Sequence, residues 1–131
     1  MVKPKKIQLH RQSRSLELHY AEGSYVLPAE YLRVYSPSAE VKGHGPGQEV
    51  LQRNKHDVAI DAVAPQGNYA LRISFNDGHD SGLFTWSYLH ELGRDHQSKW
   101  QDYLTRVAAA ELAEADQDLS AVKWMEPPTP Q

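Results

Sequence analysis

Two blocks of alternating apolar and polar residues constrain the fold of this chain more than any other feature. In residues 5–27 and again in residues 58–75, apolar side chains recur at every second position, and turn-forming residues such as Gly23 interrupt the pattern. Successive side chains of a β-strand point to opposite faces, so a period of two predicts antiparallel strands with one buried face. Asp77-Gly78 then supplies the chemistry of a tight hairpin turn. We therefore expect β-hairpins to form the framework of the fold.

Helical signals follow each block of strands. Pro28 suits the first residue of a short helix, because its missing N–H would be unpaired there in any case. Thr85 is a suitable N-cap for a second helix, which Gly93 would end. A longer amphipathic helix is predicted over 95–115, and its apolar stripe should pack on the sheet, although the acidic residues that follow would also suit a partner-binding helix. The stripe consists of Trp100, Tyr103, Leu104, Val107, Ala108 and Leu112.

These elements predict the α+β class, with a small twisted antiparallel sheet, short helices and a longer C-terminal amphipathic helix. The 131 residues suit a single domain. We assign residues 1–4 to a basic tail, 5–93 to the folded domain, 94–119 to the C-terminal helix and 120–131 to a disordered tail. Residues 36–56, interrupted by Gly and Pro, predict a long loop of the kind that often carries function.

Composition excludes several classes of protein. The chain has 14 basic and 17 acidic residues, a net charge of -3, which argues against a face that neutralises nucleic-acid phosphates. It has no cysteine, which excludes disulfides, thiolate metal sites and a thiol nucleophile. No apolar run reaches the roughly 18 residues that span a bilayer, and no signal-peptide pattern opens the chain. We expect a cytoplasmic protein that binds neither nucleic acid nor membrane.

The seven histidines suggest metal binding, because imidazole is a common ligand of zinc, copper and iron. No two of them have the spacing of a helical zinc motif, and none begins a His-x-Asp facial triad. His44 and His79 lie in glycine-containing irregular segments, where either a ligand role or local turn bonding is open. A hydrolase triad assembled from Ser36, His79 and Asp61 lacks the Gly-x-Ser-x-Gly elbow.

Five segments of the chain together carry a resemblance to a known family. They are LPAEYLR at 27–33, YSPSAEV at 35–41, GHGPG at 43–47, DGHDSG at 77–82 and WSYLHELG at 86–93. This combination resembles the bacterial DUF971 family, which is related to the N-terminal domain of gamma-butyrobetaine hydroxylase. The resemblance covers about residues 5–93 and implies an α+β fold. It does not extend to a dioxygenase domain, for which the residues after 93 leave no room, so we expect no dioxygenase activity.

In the hydroxylase domain that this chain resembles, a structural zinc is bound by three cysteines and one histidine. The cysteine positions fall on Ser36, Ser38 and Val41, while His79 keeps the histidine. Hydroxyls and a valine do not replace thiolates, so we expect no closed tetrahedral zinc site.

The resemblance implies an accessory role, since related domains are also attached to Mrp-type ATPases that handle iron–sulfur clusters. Our first hypothesis is a non-catalytic protein-interaction domain that needs no cofactor, binds an unidentified protein and forms a homo-oligomer. Its predicted contact surface joins the 36–48 loop to the 77–81 hairpin, with Ser36, Ser38, Glu40, Gly43, Gly45, Asp77 and Asp80. The alternative is a weak zinc or iron site that uses His79, His44 and a carboxylate from Glu40 or Asp80. A small enzyme using the same loop has the least support, since no paired acid and base is evident.

Overall fold

The computed structural model describes residues 3–42 and 50–125. The α+β class is confirmed, and the strands form two three-stranded antiparallel sheets. In chain order the elements are β1 (Lys6–His10), β2 (Ser15–Tyr20), β3 (Gly23–Pro28), α1 (Ala29–Val34), α2 (Ala39–Lys42), β4 (Ile60–Gln66), β5 (Ala70–Phe75), β6 (Leu83–Thr85), α3 (Trp86–Arg94) and α4 (His96–Met125).

The first sheet is a meander in the order β1-β2-β3. Leu16 lies opposite Leu9 on one side and Leu27 on the other. Leu16, Leu18 and Leu27 are completely buried, as the alternating pattern predicts. Each such leucine contributes roughly 1.5–3 kcal/mol through burial. A slip of one residue would turn these side chains to solvent, so the register is strongly specified.

The second sheet has the order β4-β5-β6, and its turn after β5 positions a histidine. The Gly78 amide donates to the Phe75 carbonyl at 3.1 Å, and the Phe75 amide donates to the His79 carbonyl at 2.9 Å. Gly78 has a φ of 89°, which glycine adopts without steric cost. These bonds form a three-residue hairpin loop closed by a bulge glycine, in agreement with the Asp77-Gly78 signal. The turn directs His79 back into the protein.

The predicted starts of the short helices are close to the observed ones. Pro28 is the N-cap of α1 rather than its first residue, so the helix begins one position later, at Ala29. Thr85 is the N-cap of α3, where its hydroxyl accepts a hydrogen bond from the Tyr88 amide at 3.2 Å. This capping bond satisfies one of the amides that the first turn of a helix leaves unpaired.

The predicted end of α3 at Gly93 is wrong, because the helix continues to Arg94. Gly93 is instead required by close packing: a Cβ atom built there would lie 2.7 Å from Cγ of Tyr25. Sequence reasoning interpreted this glycine as a helix terminator, whereas it allows α3 to approach the first sheet.

One hydrophobic core joins both sheets to α1 and α3. Its most deeply buried residues come from both sheets and both helices, and Trp100 of α4 packs against the core. The fully buried large side chains include Leu16, Leu18, Leu27, Tyr31, Leu32, Leu71, Ile73, Phe84, Leu89 and Leu92.

Only the first part of α4 packs as its stripe predicts. Tyr103 is buried, but Leu104 is 42% and Leu112 is 70% exposed, so the distal stripe has no cover from the described domain. The helix also continues to Met125, beyond the predicted end at residue 115 and into the segment 120–131 that was assigned to a disordered tail. Across residues 3–42 and 50–125, no helix is both long and apolar enough to cross a membrane.

The long loop predicted over 36–56 is interrupted by structure that the sequence did not indicate. The short helix α2 lies within it. After the gap, the Val50 amide donates to the Val41 carbonyl at 2.7 Å, which ties the two described ends of the segment together. Residues 43–49 lie outside the described part of the chain.

Candidate functional site

Two of the residues at the implied zinc-ligand positions meet in the interior. Ser36 follows the C-terminus of α1, and the hairpin after β5 supplies His79. Ser36 Oγ and His79 Nε2 share a hydrogen bond of 2.8 Å, although 43 residues separate them in sequence. Ser36 is 1% and His79 is 4% exposed. The structure thus brings together the pair that the resemblance implied, as a hydrogen bond between side chains.

Two further contacts extend this pair into a larger cluster. Ser38 Oγ and Ser81 Oγ share a hydrogen bond of 2.7 Å, and the Ser38 amide donates to Ser36 Oγ at 3.3 Å. We call Ser36, Ser38, His79 and Ser81 the His79 cluster. A Cβ atom at Gly82 would collide with Ser36 Oγ, so only glycine permits this close approach. Hydrogen-bonded side chains and the Gly82 backbone therefore fill the space within the His79 cluster.

Asp77 anchors the same hairpin through ion pairs with two basic residues. Asp77 Oδ2 accepts hydrogen bonds from Arg33 Nε at 2.9 Å and from Lys55 Nζ at 3.0 Å. Asp77 Oδ1 accepts from the His79 amide at 3.2 Å. Burial alone would raise the pKa of Asp77, but the hydrogen bonds from Lys55, the His79 amide and Arg33 outweigh it and lower the pKa to about 2. Asp77 is consequently ionised at neutral pH.

Sequence reasoning missed the basic partners of Asp77. Arg33 belongs to α1, and its side chain is only 8% exposed. A charged residue on the buried face of a short apolar helix signals a buried counterion, although the pattern does not say which acid supplies it. Lys55 lies in the irregular segment before β4 and carries no comparable local signal.

The predicted contact surface is only partly accessible. Ser36 and Ser38 are buried, which corrects their assignment as residues that contact a partner directly. Asp80 is exposed and pairs with Arg72 at 3.1 Å. Gly43, His44 and Gly45 lie outside the described residues, and the structure does not describe the Glu40 side chain.

The Ser36–His79 pair does not have the environment of a hydrolase. A nucleophilic serine must reach the substrate, yet both side chains are almost completely buried. Asp61, the third residue of the triad considered from sequence, is exposed on β4, where Arg11 donates to its carbonyl oxygen at 3.0 Å. The hydrogen bond between Ser36 and His79 instead links the hairpin after β5 to the segment after α1.

The donor set at this position does not fit the zinc of the hydroxylase domain. Ser36 and Ser38 offer neutral hydroxyls, and Val41 is a buried apolar side chain without a donor atom. Among the residues whose side chains are described, no group of three or more His, Asp or Glu is arranged to bind a metal ion. His79 is therefore the one residue of the implied ligand set that offers a usual zinc donor.

Comparison with known proteins assigns the family. A family model described as gamma-butyrobetaine hydroxylase-like, N-terminal, matches residues 7–90. The chain belongs to this family. The resemblance identified from the five sequence segments is therefore confirmed, and the His79 cluster lies within the matched region. No curated protein matches the chain significantly.

Solved structures of similar proteins support the same assignment. An NMR solution structure is 56% identical, covers 85% of this chain and 88% of its own, and has a TM-score of 0.77. A second NMR structure is 45% identical, covers 85% and 83% of the two chains, and has a TM-score of 0.72. A crystal structure of a DUF971-family protein of unknown function from Acidithiobacillus ferrooxidans is 35% identical, covers 70% and 92%, and has a TM-score of 0.58.

Proposed function

We propose that this member of the gamma-butyrobetaine hydroxylase-like N-terminal family is a cytoplasmic, non-catalytic protein-interaction domain that requires no cofactor. Its contact surface is the exposed side of the 77–81 hairpin together with residues 36–48. The observation that carries the proposal is the buried hydrogen bond between Ser36 and His79. This hydrogen bond joins two residues that lie at the implied zinc-ligand positions.

Two contacts join residues 36–38 to the hairpin of the proposed surface, and a third joins the hairpin to α1. The pairs are Arg33–Asp77, Ser36–His79 and Ser38–Ser81, with distances of 2.9, 2.8 and 2.7 Å. A surface that is ordered before binding loses less conformational entropy when a partner binds. These contacts therefore favour recognition by a preformed surface.

The accessible groups on this surface are polar and charged. Asp80 has a side chain that is 55% exposed, and Gly78 beside it is also exposed. The buried serines and His79 offer no group that a substrate could reach, which supports a binding role over a catalytic one.

A charge reversal on this surface tests the proposal. The immobilised wild-type chain, Asp80→Lys and the control Asp57→Lys are each incubated with extract of the source cells, and retained proteins are quantified by mass spectrometry. Asp57 is a suitable control because its side chain is 87% exposed and lies outside the surface. We expect wild type and Asp57→Lys to retain the same proteins and Asp80→Lys to lose them. Equal retention by all three chains, or no retention above empty beads, contradicts the proposal.

The alternative of a weak zinc or iron site with His79 and His44 stays a prediction. Native mass spectrometry of the metal-free chain, after zinc or iron(II) is added, measures it directly. A metal adduct that disappears in His79→Ala supports the alternative, and a spectrum without adduct rejects it. The same spectrum reports whether the chain forms the homo-oligomer that we propose.

A further inference from the structure

A pocket of about 130 Å³ lies next to the His79 cluster. All four helices contribute to its lining, together with residues 35–36 and 50–52. Ser36 belongs to both the cluster and the pocket lining. No motif in the sequence indicated this site, because its residues come from distant parts of the chain. The main apolar lining comes from Val34, Val41, Leu51, Tyr35, Tyr88 and Tyr103.

The three tyrosines of the pocket are fixed by hydrogen bonds to the backbone. The Tyr35 hydroxyl donates to the Lys99 carbonyl at 2.7 Å, and the Tyr88 hydroxyl donates to the Tyr35 carbonyl at 2.6 Å. The Tyr103 hydroxyl donates to the Gln52 carbonyl at 2.6 Å. Because each hydroxyl proton is already committed, the rings offer the pocket flat apolar faces in fixed positions. These walls suit an apolar ring or a branched alkyl group.

The rim of the pocket carries positive charge. Lys42 Nζ lies 5.2 Å from the centre of the Tyr88 ring, and Lys42 forms no ion pair with any residue that the structure describes. Arg106 pairs with Asp102 at 3.2 Å and donates to the Tyr35 hydroxyl, also at 3.2 Å. None of the described lining residues is acidic. An anionic group at the mouth of the pocket would therefore meet two cations, of which only Arg106 has an acidic partner.

We propose that this pocket binds a carboxylate attached to a small apolar group. The apolar group fills the space between the tyrosine rings, and the carboxylate lies at the rim beside Lys42 and Arg106. The size limits the ligand: an apolar cavity of roughly 150 Å³ holds benzene, so about six to eight non-hydrogen atoms fit. The carboxylate belongs either to a free small molecule or to the C-terminal residue of a protein. The inference does not rest on the proposed interaction function, since a free acid needs no protein partner.

A titration followed by ¹H–¹⁵N NMR tests separately the contributions of the ligand's carboxylate and of its apolar group to binding. The full chain is titrated with 3-phenylpropionate and, as the matched neutral probe, with 3-phenylpropanamide. We expect the acid to bind with a dissociation constant in the millimolar range and to shift the amides of Tyr35, Tyr88 and Tyr103. The amide probe should bind about three- to fivefold more weakly, as expected for a partly exposed charge pair.

One variant and its control test the contribution of Lys42. Lys42→Met removes the charge and keeps much of the length of the side chain, and we expect it to weaken binding of the acid about three- to fivefold while leaving the amide unaffected. Lys6→Met, on the exposed end of β1, is the control and should change neither affinity. The proposal is overturned if acid and amide bind equally, if Lys42→Met has no effect, or if the shifted resonances lie outside the pocket.

A peptide arm distinguishes the two sources of the carboxylate. A short peptide that ends in phenylalanine is compared with its C-terminally amidated form. If the free peptide binds at least as tightly as 3-phenylpropionate, the site accepts a protein C-terminus. If only the small acid binds, the site takes a free small molecule. Both results support the carboxylate pocket, and the absence of binding by every acid rejects it.

Discussion

Asp77→Asn removes the negative charge that pairs with Arg33 and Lys55. It keeps an oxygen that can accept a hydrogen bond from the His79 amide. In the wild-type chain the Asp77 carboxylate is the acidic partner of both Arg33 and Lys55. Arg33 is nearly buried, and its Nη1 atom has no hydrogen-bond partner among the residues described. Without Asp77, the guanidinium would be left in the interior without a counterion, which is costly. We therefore expect the substitution to destabilise the fold.

The pKa of Asp77 gives the size of the effect. A carboxyl group with a pKa of about 2 in the folded chain, compared with 3.8 as its ordinary value, stabilises the fold by roughly 2 kcal/mol at neutral pH. Because 25% of the side chain is exposed, solvent screening reduces this to about 1–2 kcal/mol. The folded pKa is the lower one, so the stabilisation is present above the unfolded pKa and is lost as the pH falls towards about 2.

Urea unfolding monitored by tryptophan fluorescence measures this dependence. At neutral pH we expect Asp77→Asn to lower the free energy of unfolding by about 1–2 kcal/mol, and near the folded pKa by less than about 0.5 kcal/mol. Asp57→Asn is the control, because Asp57 is 87% exposed and lies 3.7 Å from Arg14. Its effect should stay within about 0.5 kcal/mol at both pH values. A loss of the same size for Asp77→Asn at neutral and acid pH would refute the role of the charge.

Three substitutions test the packing of the helices by the same unfolding measurement. Gly93→Ala should destabilise by about 1 kcal/mol despite the better helix propensity of alanine, because the new Cβ would lie 2.7 Å from Tyr25; a stabilised variant contradicts this contact. Thr85→Ala should cost about 1 kcal/mol through loss of the cap on the Tyr88 amide, and an unchanged stability rejects the cap. Leu112→Glu should change stability by less than about 0.5 kcal/mol, and a larger loss would show that this part of α4 packs on the domain.

The strands and the start of α3 could be predicted because their signals are local. Alternation places Leu16, Leu18 and Leu27 on one face whatever lies elsewhere in the chain. The hydroxyl of Thr85 needs only the next turn of its own helix. Gly93 was misread because the reason for its presence is Tyr25, about 70 residues earlier, and local rules for helix ends contain no such information.

In the candidate site, too, the features set by neighbouring residues could be predicted, and those set by residues distant in sequence could not. The hairpin turn at Asp77-Gly78 was evident, but its ties to Arg33 and Ser36 cross more than 40 residues and leave no periodic trace. The hydrogen bond between Ser36 and His79 was not predicted, although the resemblance placed both residues at implied zinc-ligand positions. The pocket was not foreseen, since its lining residues come from four helices and from residues 50–52, and no local pattern joins them.

Hydrogen bonds of the His79 cluster hold the hairpin, at positions where the resemblance implies the ligands of a zinc ion. A tetrahedral zinc joins its ligands through one strong centre, whereas each hydrogen bond in the His79 cluster contributes only about 1 kcal/mol net. The partly buried ion pair of Arg33 with Asp77 adds a further contact to the same hairpin. Through this ion pair, the order of the hairpin depends on the ionisation of the Asp77 carboxyl group. The surface that we propose for partner binding is therefore held in part by the Asp77 carboxylate, and its order should decrease as the pH falls towards the pKa of Asp77, about 2.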